Sequence, residues 1–520
     1  MVEQYYPDTE RLLAQQAARR RWLTALLVVV VLVATGAMAA VAVLAPGASA
    51  AGPVVAGLLV VVCAGIPVLI WNYPRVGLYL LVVSAIACGA PQGNQTWVVP
   101  TSFIPMWWNL SIVGRTYGAG NALESVYLSP AELIWILTAT VWVIRTVVSR
   151  TFEFRTGEHF WPIAGLTLAF ALGAVHGWAS GGDTTAMLWE VRPMFVMLAA
   201  YLLACNLVTT RADVGRILWA IAISIAAMSV FYSGSWFQGD RTDFGIKGMD
   251  HGDSMAMCFQ LFVCFVCLIL AHNRRLTWLA VLSMPSVLLA LLGNNRRAGI
   301  ASFVIAFIPL VPLLWVVFEN RRTQIARFAV FFLVFSAVYL PVAWNAKGVW
   351  AFPAQALRSN SDPSARDQAS NNYRYAEDQN LKMNRDLQPW IGLGFGKEFA
   401  RFIPLPYIGE EKLLRYMPHN SVLWIWMRIG NLGFMVFLMM LASVLIKGTQ
   451  AIRAVRDKTL RVAGVLALMQ LLMHYVYGKY DLQWASPRMM FFTGALIGIL
   501  AVIRRIEQDD PPPAEPAQAA

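Results

Sequence analysis

Apolar runs of about 20 residues recur along this chain, each long enough to carry a helix across ~30 Å of hydrocarbon. The pattern predicts fourteen spans, near 22–45, 53–70, 74–90, 129–147, 160–178, 186–208, 212–233, 251–271, 276–292, 298–318, 326–344, 420–446, 460–477 and 488–503. Two of these, 74–90 and 276–292, are short enough to be re-entrant, which lowers the count to twelve or thirteen. The first run starts at Trp22 and has no small-residue cleavage site behind a short core. It therefore reads as a retained helix and not as a signal peptide. The expected fold is all-α, a polytopic membrane protein with one large loop.

Polar stretches organise the rest. Residues 1–21 form a basic segment, 22–344 the first part of the membrane domain, 345–418 a large loop, 419–505 the last helices and 506–520 a tail. Within the loop, RSNSDPSARDQASNN reads as flexible chain, 373–384 as a short amphipathic helix and PWIGLGFG as a turn. The segment 91–128 carries Trp97, Trp107 and Trp108, which suit an aromatic anchor at the bilayer surface or a lid over a site. The Pro/Ala-rich tail after Glu507 reads as disordered. No internal repeat stands out.

Composition agrees with the pattern. Of 520 residues, 58% are hydrophobic and 13% charged, with a mean hydropathy of +0.56, where a soluble domain carries about 25% charged residues. The net charge of +12 matters through its placement. With Arg11, Arg19, Arg20 and Arg21 on the cytoplasmic side, 22 of the Lys and Arg residues fall on that side and, outside the long loop, 7 on the other. The positive-inside bias then puts both termini in the cytoplasm and 345–418 outside. This charge reads as anchoring, and no basic-aromatic nucleic-acid module is visible. All six cysteines (Cys63, Cys88, Cys205, Cys258, Cys264, Cys267) lie in or at the ends of apolar spans, as packing residues and not as a disulfide framework.

The candidate chemistry gathers at the outer ends of the spans. Arg296 and Arg297, in LLGNNRRAGIAS, break the positive-inside pattern. A guanidinium near lipid usually faces the protein interior or an anion. Adjacent helical residues point about 100° apart, so one of the two should enter a cavity. In the long loop, Arg374 is followed by Glu377 and then by Gly392, Gly394 and Gly396, whose freedom at positive φ lets backbone amides approach a ligand closely. His419 and Asn420 stand at the mouth of the next span, the imidazole able to take a hydroxyl proton or contact a phosphate, and Asn420 able to cap the helix. Arg428 lies deeper, on the opposite helix face, and reads as the partner of a buried acid or carbonyl. Glu190 and Arg192 could form an ion pair within their span, or Arg192 could bind substrate. Asp250, His251 and Asp253 read as a loop and helix cap, since no second acidic pair at ligand spacing supports a metal site.

In order and spacing, NNRRAGI, Arg374 with Pro389 and GLGFG, and MPHNSVLWIWMRIGNLGF resemble three segments of the O-antigen ligase and Wzy-type polysaccharide polymerase family, membrane glycosyltransferases of the GT-C class. The chain departs from many ligases at Met417, where they carry a histidine, and at Arg428, where an acid is common. The resemblance implies a donor glycan on undecaprenyl diphosphate, with a glycan or lipid A-core as acceptor. It implies His419, Arg297 and Arg374 as catalytic residues, the arginines clamping the diphosphate and His419 serving as general base or diphosphate contact. Arg296, Arg192, Glu377, Gly394, Gly396 and Asn420 are the expected substrate contacts. Transfer is expected to invert the anomeric centre and to need no metal or other cofactor, at the outer face of a bacterial inner membrane. A ligase and a polymerase both fit. A multi-span solute transporter is the reading outside the enzyme class.

Overall fold

The computed structural model describes residues 65–88, 106–111, 127–239, 241–242, 245–246, 249–405 and 412–510. The spans expected at 22–45 and over most of 53–70 lie outside these residues, as do the basic segment 1–21, Cys63 and Trp97. The helices follow the apolar runs closely: α1 Pro74–Ala87, α2 Pro130–Val148, α3 Phe160–Ala179, α4 Thr184–Leu207, α5 Arg211–Phe237, α6 His251–Leu270, α7 Arg274–Gly293, α8 Arg297–Val317, α9 Arg322–Ala343, α10 Phe352–Arg358, α11 Ala365–Leu387, α12 Ser421–Ala454, α13 Lys458–Gly478, α14 Pro487–Leu500 and α15 Ile503–Asp509. Two strands of two residues each, 241–242 and 245–246, pair antiparallel. Among the described residues ten helices are long and apolar enough to cross a membrane, and α14 with α15, bent by 45°, makes an eleventh candidate. The 276–292 run forms a full helix of 20 residues, whereas α1 has only 14.

The chain divides into two compact units, one of residues 1–78 with 133–152 and the other of 79–132 with 153–520. In the first, Gly77 lets a helix lie against Thr138, and Arg145 donates to the Trp71 carbonyl at 2.9 Å. The second holds every residue discussed below. Its α6 is almost wholly surrounded by protein. Helices α4 and α14 are in close contact because Gly494 and Gly498, one turn apart, bring α14 against the backbone at Met197 and Tyr201, the small-residue packing that membrane helices use where hydrophobicity gives no preference.

One helix is broken on purpose by sequence. Gly430 adopts φ 63° and ψ −171° inside α12, a combination open to glycine. The break frees the carbonyls of Met427 and Arg428, which accept from the amides of Leu393 (2.9 Å) and Gly394 (3.0 Å). It also frees the amide of Asn431, which donates to the Pro389 carbonyl at 2.7 Å. The PWIGLGFG turn thus completes the hydrogen bonds that the interrupted helix gives up, as irregular backbone at this depth requires. On its other side the turn lies against α3, where a Cβ on Gly177 would stand 1.9 Å from the Phe395 carbonyl oxygen. Gly177→Ala is therefore expected to destabilise the fold by about 1–3 kcal/mol, read as a lower thermal midpoint of the purified protein.

Two expectations about the polar segments are corrected. The stretch expected to be flexible is helical from Ala365, because Ser364 caps α11 by accepting from the Asp367 amide at 3.1 Å. Further along, Asn380 exchanges two hydrogen bonds with the backbone of Ile403, and Asn384 two with Ala400. These side chains act as a backbone edge, so a polar helix is held by tertiary contacts its composition does not show. The tail also starts later than expected. Helix α15 runs to Asp509, Glu507 accepts from the amides of Arg456 and Asp457, and Asp510 pairs with Arg211 at 3.2 Å. Residues 511–520 lie outside the described residues.

Candidate functional site

The site is built on two adjacent pairs. Glu377 and Asp378, on α11, hold His419 and Asn420, just before α12. The Glu377 carboxylate is almost fully buried, and accepts from the His419 amide at 3.0 Å and its Nδ1 at 3.2 Å. The Tyr373 hydroxyl, one turn earlier on the same face, also points at Glu377 at 3.4 Å. Its ring meets the imidazole edge-on at 5.6 Å. Asn420 donates to Asp378 at 3.0 Å and caps α12 by accepting from the Leu423 amide at 3.0 Å.

This arrangement fixes the histidine. A carboxylate only accepts, so Nδ1 carries the proton and the neutral ring presents a lone pair at Nε2. Burial works to lower the imidazole pKa, but the hydrogen bond and charge of Glu377, with the charge of Asp481, outweigh it; Arg374 opposes them, and the net shift is upward. Burial first, then the Glu377 charge, pushes the Tyr373 hydroxyl up to about 12, so it remains a donor. Burial also raises the Asp378 carboxyl, against the Asn420 hydrogen bond.

His419 and Asn420 open onto a cavity of about 420 Å³. Arg297, Arg374, Glu377 and Asp378 line it, with Lys479 and Tyr480 from the far end of α13. Below the charged mouth its wall is apolar: Ile300, Ala301, Val304 and Ile305 of α8 face Ala356 and Leu357. Arg297 is the first residue of α8, and its guanidinium is tied to neighbouring elements while still lining the cavity. It donates to Ser359 Oγ and Asn371 Oδ1, each at 3.0 Å, and stands 3.6 Å from Asp367. Arg374 lines the cavity on the same helix as Glu377 and forms no ion pair among the described residues.

The structure therefore brings Arg297, Arg374, Glu377, His419 and Asn420 together. Glu377 lines the cavity and also supports the histidine, its oxygens accepting from His419 and Tyr373. Arg296 is the residue before α8 and does not line the cavity. Neither do Gly394 and Gly396. Their φ values are positive (76° and 81°), but the close approach they permit is to the chain's own helices. Gly394 donates to the Arg428 carbonyl and Gly396 to Glu190.

Arg192 is also elsewhere. Its guanidinium is bonded to Glu132 and Asn109. The expected pair with Glu190 does not form because residues two apart on a helix project to different sides. Glu190 instead meets Arg428 at 2.7 Å, both fully buried, and accepts from Trp424 Nε1 at 3.0 Å. Arg428 also donates to the carbonyls of Gly394 (2.9 Å) and Tyr416 (2.8 Å), so it has the acid and carbonyl partners read from its position.

Asp250 and Asp253 form a capping box at the start of α6 and bind Arg488, at 2.6 and 2.9 Å. His251 pairs with Asp481 at 2.9 Å. Among the described residues no three His, Cys, Asp or Glu side chains cluster as a metal site. Trp107 packs on Phe491, and the described cysteines are buried and free.

Sequence reading missed Lys479 and Tyr480. They belong to no motif, and the only signal was a lysine at the expected outer end of a span. Residues 260–438 match the family model described as O-Antigen ligase (Wzy_C). The match takes in Arg297, Arg374, Glu377 and His419, and stops short of Lys479. No curated protein matches the chain.

Proposed function

The match over residues 260–438 makes this chain, a multi-pass bacterial membrane protein, a member of the O-antigen ligase/Wzy-type family of surface polysaccharide biosynthesis; from that premise we propose that it transfers a glycan from a polyprenyl diphosphate to an acceptor hydroxyl in the His419 cavity. The observation that carries the reading is His419 held at Nδ1 by a buried carboxylate while it lines a cavity edged by Arg297 and Arg374 and walled with apolar side chains. A polyprenyl diphosphate has this division, a charged head on an apolar tail. Arg297, His419 and Lys479 all lie at helix ends, which supports surface chemistry over a midplane transport site.

In this mechanism Nε2 takes the acceptor proton as the hydroxyl oxygen bonds to the anomeric carbon. The bond from that carbon to the diphosphate oxygen breaks, the electron pair leaves with the diphosphate, and attack from the opposite side inverts the centre. Arg374 meets the charge that develops on the leaving group. Arg297, already bonded, supports it at longer range and ties α8 to α10 and α11. The diphosphate is a good leaving group, so the transfer is metal-independent. The cavity faces the outer side of the inner membrane, and the acceptor is a lipid A-core or another surface glycan. The polymerase, with a second lipid-linked repeat as acceptor, uses the same residues.

Purified protein supplied with lipid-linked glycan and acceptor should transfer undiminished in EDTA, while Arg374→Ala should lose about 10–100-fold in kcat/KM, the effect of one charge-assisted phosphate contact. Loss of transfer in EDTA restored by Mg²⁺ would overturn metal independence, and an unaffected Arg374→Ala would overturn the donor-site reading.

A further inference from the structure

Resting on that donor-site reading, we propose that Lys479, outside the segment the family model matches, is the second phosphate-binding cation of the cavity, paired with Arg374. A glycan joined to a polyprenol through a diphosphate carries two negative charges, one on each phosphate. Arg297 cannot answer them alone, since it is one cation, Asp367 stands 3.6 Å from its guanidinium, and Ser359 and Asn371 take two of its five N–H groups. Two cations line the cavity without a carboxylate partner among the described residues, Arg374 and Lys479. Two cations that form no ion pair among the described residues match two phosphates.

Their placement assigns one to each. Arg374 lies three residues before Glu377 on α11, on the face that holds His419, so it takes the phosphate next to the sugar. Lys479 enters from a different element, the end of α13, and takes the phosphate next to the lipid. A lysine at a helix end facing lipid could instead serve a headgroup, but this one stands on a built base. Ser421 Oγ donates to the carbonyls of Gly478 and Asp481, each at 2.9 Å, and Asp481 pairs with His251. The turn bearing Lys479 is thus tied to the start of α12, two residues after His419. Its ammonium stands 5.7 Å from the Tyr475 ring and lines the cavity, where it supplies a point charge.

The test measures binding of two probes to purified full-length protein: a polyprenyl diphosphate bearing one N-acetylglucosamine, and its single-phosphate counterpart. Lys479→Ala should weaken the diphosphate probe about tenfold, by one charge-assisted contact, and the single-phosphate probe less than about twofold, with Lys479→Arg restoring most of the loss. Equal weakening of both probes, or none, overturns the assignment. Arg374→Ala, measured alongside, separates the role of Lys479 from that of the donor site itself. A loss there with none in Lys479→Ala removes Lys479 alone; no loss in either variant removes the donor-site reading itself. Restored affinity in acidic-lipid vesicles but not in neutral ones would mark Lys479 as a headgroup anchor and likewise overturn its role.

Discussion

His419→Ala is expected to lower glycan transfer by about 10²–10⁴-fold, the range of a positioned general base, with little change in donor affinity. The fold should survive, because Glu377 keeps the residue-419 amide and the Tyr373 hydroxyl as donors. His419→Gln supplies a second variant of similar shape that cannot take the proton and should be equally inactive. The pH profile then separates the two roles an imidazole can play here. Glu377 and Asp481 hold the His419 pKa above its ordinary value against burial. A base must be neutral, so kcat/KM should rise with pH through that raised value. A protonated phosphate contact predicts the opposite, a fall over the same interval. Glu377→Gln removes the charge that raises the pKa, so the rising limb should move to lower pH as the maximum rate drops. The linkage to stability has its own sign: the charged pair stabilises the fold fully below about pH 6.5, the ordinary histidine value, and that contribution is lost as pH rises through the folded pKa.

The largest expected loss of stability comes from a place with no chemistry. Glu190→Ala leaves Arg428 charged, fully buried and without its acid, and should cost about 3–5 kcal/mol. Arg428→Met leaves Glu190 equally stranded and also releases the carbonyls of Gly394 and Tyr416. Tyr416 is three residues before His419, so a protein that still folds should place its histidine poorly and transfer slowly. The double replacement Glu190→Met with Arg428→Met removes both charges and should be more stable than either single variant. Thermal midpoints of the four proteins in detergent check this. Additive losses would mean that the two residues are not a pair.

Much of this molecule was legible in its sequence, for reasons that differ from element to element. The long helices were, because apolar length alone selects them: 298–318 became Arg297–Val317 and 160–178 became Phe160–Ala179. The grouping of Arg297, Arg374 and His419 came from motif order. What stayed hidden was non-local. The break at Gly430 depends on a turn some forty residues earlier that supplies its hydrogen bonds. Helix α11 was expected only over 373–384; its start at Ala365 rests on the Ser364 cap, and its partners at 400 and 403, bound by Asn384 and Asn380, lie outside any local pattern. The three glycines announced positive φ correctly, but not the direction of the close approach, which is toward α12 for Gly392, α3 for Gly394 and the start of α4 for Gly396. Glu190 and Arg428 lie far apart in the chain, and neither carries a pattern that names the other. Lys479 was invisible for the same reason.

The central claim, that the His419 cavity transfers glycan from a lipid diphosphate, meets its most direct test in the lipid-linked glycan of cells whose only copy is His419→Ala. The account predicts loss of surface glycan with lipid-linked donor accumulating, as long chains if the acceptor is a lipid core and as single repeats if it is another repeat. Normal surface glycan with no accumulation would contradict it.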